Sequence, residues 1–438
     1  MAQKPTFNEA LRFWIQLGFI SFGGPAGQIA IMHDYLVVKK QWITERRFLH
    51  ALNFCMLLPG PEAQQLATYM GWLLHGTWGG LAAGLLFILP SLFILLGLSI
   101  LYVSFGNIPW IYALFHGLKP AIVAIVVLAL IKIGKRSLLS PLHWVIALMS
   151  FLGITFFHIS FPILLVGAAL VAILGIRFFP SILTSGNEAT TSEKELKDDL
   201  SNVNHHSVSQ TYGLPFSRIG LSIISGLILW SIPLFLFYVA SDDFIFWKKV
   251  TLFFTQSAWI TFGGAYAVLP YVAEVSVEKF NWLTNLQMMD GLALGESTPG
   301  PLIMVLAFVG FMAGYHHFGH SLVMGSLGLL TTTFYTFLPS FLFIFVGAPI
   351  IERTQNNQHI KNGMSFVTSA VVGVMMNLIL YLGKAIVLKG QWSFSNIQYP
   401  TAAWILISIF SLYRFKIGII PWIGLSALYG LVMYGLIR

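Results

Sequence analysis

A Pro-Gly-Pro triplet, Pro59-Gly60-Pro61, interrupts an apolar segment that extends from about Leu49 to Leu74. Each proline lacks a backbone N–H and disfavours helical backbone in the residue before it. We therefore expect one half-helix to end near Leu58 and a second to begin at Pro61, because proline suits the first helical position. Backbone groups freed at membrane depth are tolerated only where protein or a water-filled cavity surrounds them. The triplet thus predicts a broken helix that faces the protein interior.

The amino-acid composition is that of a membrane protein. Of the 438 residues, 57% are hydrophobic and 9% are charged, and the mean hydropathy is +0.79. Several apolar runs are long enough to cross a bilayer, so we predict an all-α polytopic fold. The N-terminus, Met1–Ala10, is polar and lacks the pattern of a cleaved signal, so the first apolar segment is expected to insert directly. Cys55 is the only cysteine, which excludes an intramolecular disulfide.

The net charge of +8 does not indicate nucleic-acid binding. Lysines and arginines lie at the ends of apolar segments, which is where the positive-inside bias of membrane proteins places them. We therefore expect the chain to be surrounded by a lipid bilayer and to bind no nucleic acid.

The chain contains an internal repeat, because several motifs recur at a constant spacing of 240 residues. In membrane transporters such a repeat usually accompanies a substrate site at the repeat interface, near the midplane of the bilayer. The matched groups are Phe22-Gly23-Gly24 with Phe262-Gly263-Gly264, Trp42 with Trp282, and Pro59-Gly60-Pro61 with Pro299-Gly300-Pro301. We call these glycine motifs the first and second Phe-Gly-Gly breaks and the first and second Pro-Gly-Pro breaks.

A further motif recurs at a larger spacing. Leu89-Pro90-Ser91 matches Leu338-Pro339-Ser340 at 249 residues, which indicates an insertion of about nine residues in the second copy. The insertion is expected around Tyr315–His320. The repeat therefore extends well beyond the glycine-rich breaks.

These matches divide the chain into four parts. The linker is rich in Ser, Thr, Glu, Lys and Asp and has little apolar surface to bury. Its adjacent histidines, His205 and His206, are interpreted as solvated residues rather than metal ligands. We expect an N-terminal repeat at 1–180, a flexible cytoplasmic linker at 181–217, an additional transmembrane helix at 218–240, and a C-terminal repeat at 241–438.

The additional helix predicts inverted repeats, because an odd crossing between similar units turns the second one over. The distribution of positive charge agrees with this inversion if the broken segments are re-entrant and the linker is cytoplasmic. In that case 17 of the 24 Lys and Arg residues lie inside. The remaining 7 lie outside, and Lys119 is among them. Equivalent loops differ in the same sense, since 33–47 holds four Lys or Arg and 273–287 holds only Lys279.

The breaks also indicate a chemistry. A half-helix that begins after such a break leaves N–H groups without carbonyl partners and points the positive end of its dipole into the protein, where an anion can bind. Glycine lets the backbone approach that anion closely because it has no side chain. Four such ends, two in each repeat, predict a cradle for an oxyanion. The alternative is that these glycines and prolines only provide kinks and close helix packing.

Substrate contacts are expected from the breaks and from the amides and hydroxyls beside them. Carboxylates repel an oxyanion and are poorer candidates. The expected substrate-binding residues are Phe22, Gly23, Gly24, Pro25, Gln28, Asn53, Pro59, Gly60, Pro61, Gln64, Gln65, Phe262, Gly263, Gly264, Thr298, Pro299, Gly300 and Pro301.

Three acidic residues at the depth of the apolar segments, Glu62, Asp290 and Glu296, are assigned to proton coupling or gating. Glu62 follows the first Pro-Gly-Pro break, where the positive end of a helix dipole stabilises a charged carboxylate. Glu296 lies at the negative end of the half-helix before the second Pro-Gly-Pro break, which favours proton exchange. We therefore expect Glu296 to couple protons and Glu62 to have a gating or structural role, such as capping.

A metal site and an enzymatic function are the alternatives from another class. His316 and His320 form an i,i+4 pair beside His317 that could bind zinc, but no acidic ligand lies near them in the sequence. The sequence contains no nucleophile motif or phosphate loop. We expect no cofactor and no metal, and an intramembrane metal-dependent enzyme is kept as the alternative.

The segments around the breaks resemble the chromate ion transporter family in its long, two-repeat form. The resemblance covers both halves and is carried by Ser21–Gln28, Arg47–Asn53, Leu57–Leu66, Gly71–His75 and Asp290–Pro301. It implies a carrier in the inner membrane that expels chromate, driven by the proton-motive force. Sulfate, a structural mimic of chromate, is the nearest alternative substrate, in the uptake direction. A homodimer is compatible with this reading.

The second copy departs from the family pattern at one position. Ala265 follows the second Phe-Gly-Gly break, where Pro25 follows the first. Because alanine keeps its backbone N–H and leaves the preceding residue unrestricted, the two breaks are not equivalent. We therefore expect an asymmetric cradle in which the first repeat dominates binding.

Overall fold

The computed structural model describes residues 5–22, 24–106, 108–178, 216–351, 358–388 and 396–437. Over these ranges the protein is an all-α polytopic membrane protein, which confirms the predicted fold class. Five of the described helices are long and apolar enough to cross a bilayer. Gly23 and nearly all of the predicted linker lie outside the described residues.

The N-terminal half begins with short helices on either side of each break and continues with longer ones. A π-helical turn, Asp34–Lys39, directly continues the second helix. The helices are α1 (Phe7–Ile20), α2 (Gly24–His33), α3 (Glu45–Cys55), α4 (Glu62–Phe105), α5 (Pro109–Ser137), α6 (Pro141–Phe157) and α7 (Phe161–Phe178), followed by α8 (Phe216–Ala240).

The C-terminal half has the same order of elements. Its π-helical turn, Val275–Lys279, stands at the position equivalent to the turn after α2. Among the described helices, α8 has no counterpart in this order. The helices are α9 (Phe244–Trp259), α10 (Ala265–Glu274), α11 (Asn285–Ser297), α12 (Val305–His317), α13 (Leu322–Ile351), α14 (Gln358–Val387), α15 (Tyr399–Arg414) and α16 (Ile419–Ile437).

α4 folds back on itself near Gly76. The backbone there is not helical, and the φ of Gly76 is +66°, which glycine adopts without strain. The segments before and after the bend pack closely, because a Cβ on Gly71 would lie 2.6 Å from the Cβ of Ala83. The equivalent bend in the second half is the loop at 318–321 between α12 and α13, in the region where the inserted residues were expected.

The first Pro-Gly-Pro break separates α3 from α4, but its boundaries differ slightly from the prediction. α3 ends at Cys55 rather than near Leu58, and α4 begins at Glu62. Beyond α3 the N–H of Leu58 donates to the carbonyl of Cys55 at 3.3 Å, and Leu57 bonds Phe54 in the same way. This i→i+3 pattern is the tighter turn in which helices commonly end. The helix therefore tightens before it meets the proline.

The two halves are packed together through their long helices. α4 contacts α13, and α5 contacts both α14 and α16. One apolar cluster surrounds Trp14, Phe48 and Phe54 in the N-terminal half and also includes Ile344 of α13. A larger cluster joins α5 to the helices of the second half. α8 lies at the periphery, since only 6% of its 18-residue apolar stretch is buried inside the protein. The long helices α4, α5, α13, α14 and α16 thus form the interface between the two halves.

Candidate functional site

Reciprocal hydrogen bonds join the breaks of the two repeats. The N–H of Gly60 donates to the carbonyl of Thr261 at 2.7 Å, and the N–H of Gly300 donates to the carbonyl of Ser21 at 2.9 Å. Ser21 and Thr261 immediately precede the first and second Phe-Gly-Gly breaks. Each Pro-Gly-Pro break is therefore bonded to the Phe-Gly-Gly break of the other repeat. All four breaks meet in one region, which we call the crossed breaks.

The central glycines of the Pro-Gly-Pro breaks have backbone angles that only glycine adopts easily. The φ is +125° at Gly60 and +100° at Gly300. There is also no room for a side chain, since a Cβ on Gly60 would lie 2.6 Å from both Nε2 of Gln65 and Oγ of Ser340. At Gly300 a Cβ would lie 2.7 Å from the Cβ of Ser91. Both conformation and space therefore require glycine here.

The predicted glutamines lie at the crossed breaks, but their amide N–H groups bind the protein itself. Gln28 donates to the carbonyls of Gly300 at 2.6 Å and Ser21 at 3.1 Å. Gln65 donates to the carbonyl of Pro59 at 2.7 Å. The Oε1 atom of each is buried without a partner among the described residues. In this conformation these amides hold the breaks in shape, and their Oε1 acceptors stay unused.

The starts of α4 and α10 face the crossed breaks with their positive ends. Neither Pro61 nor Gly264, the residues before these helices, caps its helix through a side chain. The first-turn N–H groups of a helix have no carbonyl partners within the helix and attract negative charge. The carboxylate of Glu62 comes close to the start of α10, because a Cβ on Gly264 would lie 3.9 Å from its Oε1. The ends of two helices and one carboxylate thus converge.

Glu296 also meets α10. The hydroxyl of Tyr266, the second residue of α10, donates to the Glu296 carboxylate at 2.5 Å. Glu296 is buried near the C-terminal end of α11. Two of the three carboxylates assigned to coupling or gating, Glu62 and Glu296, are therefore next to the same helix start. Tyr266 was missed in the sequence, since its equivalent in the first repeat is Ala26 and no motif includes it.

Asp290 has a different environment from the other acidic residues. Its carboxylate lies 3.2 Å from the ammonium of Lys119 and accepts a hydrogen bond from the hydroxyl of Tyr102 at 2.9 Å. Lys119 is 2% exposed, within α5. The charge count placed Lys119 outside, and the structure buries it within α5, where a carboxylate from α11 supplies the partner that a buried lysine requires.

The other predicted residues are distributed unevenly around the crossed breaks. The Gln64 amide donates to the Thr68 hydroxyl at 3.0 Å, one turn along α4. The Thr298 hydroxyl donates to the Gly295 carbonyl at 3.0 Å and so satisfies the end of α11. Asn53 is exposed on α3 and does not join the buried group. The remaining residues flank the glycines and are part of the breaks or directly follow them, among them Phe22, Pro25, Phe262, Pro299 and Pro301.

The histidine-rich segment has partners outside the crossed breaks. His316 bonds the carbonyl of Trp282 at 2.9 Å, and His317 bonds the carboxylate of Asp243 at 2.7 Å. Hydrogen bonds from the N–H of Phe246 and from the His317 ring lower the pKa of Asp243. Within the described ranges, no three His, Cys, Asp or Glu residues come together as a metal site.

The polytopic helical fold and its buried, repeated helix breaks are those of a membrane transporter. The family model "Chromate transporter" matches residues 9–175 and 248–431, and the chain therefore belongs to the chromate transporter family. No solved structure matches the chain.

Relatives match this chain over most of its length. It is 28% identical over 435 residues to a chromate transport protein of Cupriavidus metallidurans, covering 99% of this chain and 94% of the relative. A probable chromate transport protein of Synechococcus elongatus is 26% identical over 86% of this chain and 85% of its own length. A chromate transport protein of Pseudomonas aeruginosa is 29% identical over 84% of this chain and 79% of its own length.

Proposed function

We propose that this protein is a secondary transporter that expels chromate across the inner membrane in exchange for protons and so confers chromate resistance. The convergence of the four breaks at the interface of the repeats is the observation that carries the proposal. Helix starts without side-chain caps provide N–H donors and positive potential there, and both favour an anion. Family membership and the names of the relatives support chromate as that anion.

Sulfate is the nearest alternative substrate. Chromate and sulfate are both tetrahedral and doubly charged, so helix starts that donate to one can donate to the other. Cells that express the protein are expected to accumulate less labelled chromate than cells without it, and excess sulfate is expected to reduce the difference. Greater accumulation in the expressing cells would instead indicate uptake. Chemical conversion of the chromate, in place of its movement, would indicate the alternative of an enzyme.

Alternating exposure of the crossed breaks follows most simply from inverted repeats. Thr44 and Thr284 test this inversion because they are equivalent in the repeat, exposed, and N-caps of α3 and α11. With Cys55 replaced, we expect a cysteine at Thr44 to react with impermeant reagents from the cytoplasmic side. A cysteine at Thr284 is expected to react from the periplasmic side. Labelling of both from one side would exclude inverted repeats.

Proton coupling is assigned to Glu296 and a gating role to Glu62. Glu296 is buried against the hydroxyl of Tyr266 at the end of α11, whereas Glu62 lies between the positive starts of α4 and α10. The Glu62 carboxyl is therefore held where the substrate anion is expected, which suits a gate. Glu296 can exchange a proton without leaving that region, which suits a carrier.

The Glu296→Gln variant separates these roles, since glutamine imitates the protonated carboxyl. We expect chromate exchange between equal pools to persist in Glu296→Gln while the dependence of net transport on the pH gradient disappears. The measurement is labelled chromate flux in vesicles with and without a gradient. Glu62→Gln is the comparison variant, and its net transport should still respond to the gradient. Coupling retained in Glu296→Gln, or lost only in Glu62→Gln, contradicts the assignment.

A further inference from the structure

Two serine hydroxyls at the crossed breaks are buried without hydrogen-bond partners. Ser91 of α4 is 0% exposed and Ser340 of α13 is 1% exposed. Among the described residues neither Oγ atom has a hydrogen-bond partner. Leaving a hydroxyl unpaired in the interior costs free energy that an apolar side chain of the same size avoids. These two hydroxyls are therefore free to donate to a ligand at the crossed breaks.

Two other buried serines in helices of this protein, Ser99 and Ser257, bond within their own helices. The Ser99 hydroxyl donates to the Leu95 carbonyl at 2.7 Å, two turns further along the same helix as Ser91. The Ser257 hydroxyl donates to the Phe253 carbonyl at 2.8 Å. Bonding to the carbonyl four residues earlier is the usual solution for a serine within a helix. Ser91 and Ser340 depart from it and keep their hydroxyls free.

The two serines occupy equivalent places in the repeats. Both end the Leu-Pro-Ser motif, and each lies against the Pro-Gly-Pro break of the opposite repeat. A Cβ on Gly60 would lie 2.6 Å from the Ser340 Oγ, and one on Gly300 would lie 3.2 Å from the Ser91 Oγ. The same contact is thus made twice, on the two sides of the crossed breaks. A chance packing defect does not explain this duplication.

The chemistry of a free hydroxyl suits the proposed substrate. A serine hydroxyl donates one hydrogen bond, and an anion oxygen is a strong acceptor, so the bond formed is charge-assisted. Of the neighbouring glutamines, Gln28 donates both of its amide N–H groups to backbone carbonyls, and Gln65 donates one. Hydroxyls also bring no charge that would repel or trap a divalent anion.

We propose that Ser91 and Ser340 are direct ligands of the transported tetrahedral oxyanion, each donating a hydrogen bond to one of its oxygens. The proposal rests on the proposed function and adds the donors that select the substrate. Because one serine stands on α4 and the other on α13, an anion bound by both is held by both repeats. Loss of either hydroxyl therefore weakens binding from one side only.

Ser91→Ala and Ser340→Ala test the proposal, since they remove the hydroxyl and keep the shape of the side chain. Each is expected to raise the KM for labelled chromate, and the Kd of the purified protein, by about 10- to 100-fold. The double variant is expected to lose more than either single variant. Ser99→Ala is the matched control, because its hydroxyl is equally buried but bonded within its own helix, and its KM should stay within about twofold.

The outcomes separate this proposal from the proposed function. Transport and thermal unfolding in detergent are measured for every variant, so that a loss is counted per folded protein. Wild-type chromate transport combined with an unchanged KM and Kd in both alanine variants overturns the serine site alone. A change in the Ser99→Ala control as large as that in Ser91→Ala also overturns it. No chromate or sulfate transport by the wild type overturns the proposed function and the serine site together.

Discussion

Replacing either central glycine of the Pro-Gly-Pro breaks with valine is expected to reduce chromate transport to the background of vesicles without the protein. Gly60 and Gly300 have φ values of +125° and +100°, which β-branched residues do not adopt without strain. The new side chain would also fill the contact between Gly60 and Ser340, or between Gly300 and Ser91. The readouts are chromate transport in vesicles, chromate resistance of cells and the amount of protein in the membrane. We expect the variant protein to remain detectable in the membrane.

Gly97→Val is the matched control for this loss. Gly97 lies on the same helix as Ser91, is exposed, and a Cβ there would meet nothing within 4 Å. A valine at Gly97 tests the general effect of a β-branched residue in α4, which is small in a helix. We expect normal resistance from this variant. Normal resistance in Gly60→Val or Gly300→Val would contradict the role of the crossed breaks.

Breaking the ion pair between Lys119 and Asp290 is expected to have the largest effect on stability. The two charged groups are 3.2 Å apart, and both residues are at most 4% exposed. Asp290→Asn leaves the lysine without a counter-charge, and removal of one partner of a buried pair typically costs about 3–5 kcal/mol. Thermal unfolding in detergent measures the loss. If Asp290 instead served only to carry protons, its amide variant would fold normally and lose coupling.

The double variant Lys119→Met with Asp290→Asn separates charge from packing. It removes both charges and keeps an acceptor for the hydroxyl of Tyr102, so most of the lost stability should return. Asp34→Asn is the surface control, because its pair with Lys39 is more than half exposed and such pairs contribute about 0–1 kcal/mol. A double variant as unstable as Asp290→Asn would show that the pair does not act through its charge.

Much of the fold could be predicted because its signals are local. Proline and glycine determine where helices stop, so the breaks and the order of the helices follow from the sequence. The spacing of 240 residues then relates the two halves without any structural information. α3 was predicted to end near Leu58 but ends at Cys55. The turn before Pro59 tightens, because the carbonyls of Phe54 and Cys55 accept hydrogen bonds from residues three positions ahead.

The arrangement of the site was less predictable because it depends on contacts between distant parts of the chain. The bond from Gly300 to Ser21 joins the two repeats, and no local pattern encodes which break meets which. The burial of Lys119 was not predicted, because its partner, Asp290, is supplied by another helix. The serine of each Leu-Pro-Ser motif was visible as a repeat, but its unpaired hydroxyl is a property of the packed structure only.

Transport of labelled chromate into inverted membrane vesicles tests proton-coupled chromate efflux directly. An acidic vesicle interior reproduces the proton gradient that the transporter meets in the cell. We expect the wild-type protein to accumulate chromate under this gradient, and we expect accumulation to stop when the gradient is collapsed and to be absent in Gly60→Val. Equal uptake with and without the gradient would contradict proton coupling. Uptake no greater than that of vesicles without the protein would contradict chromate efflux itself.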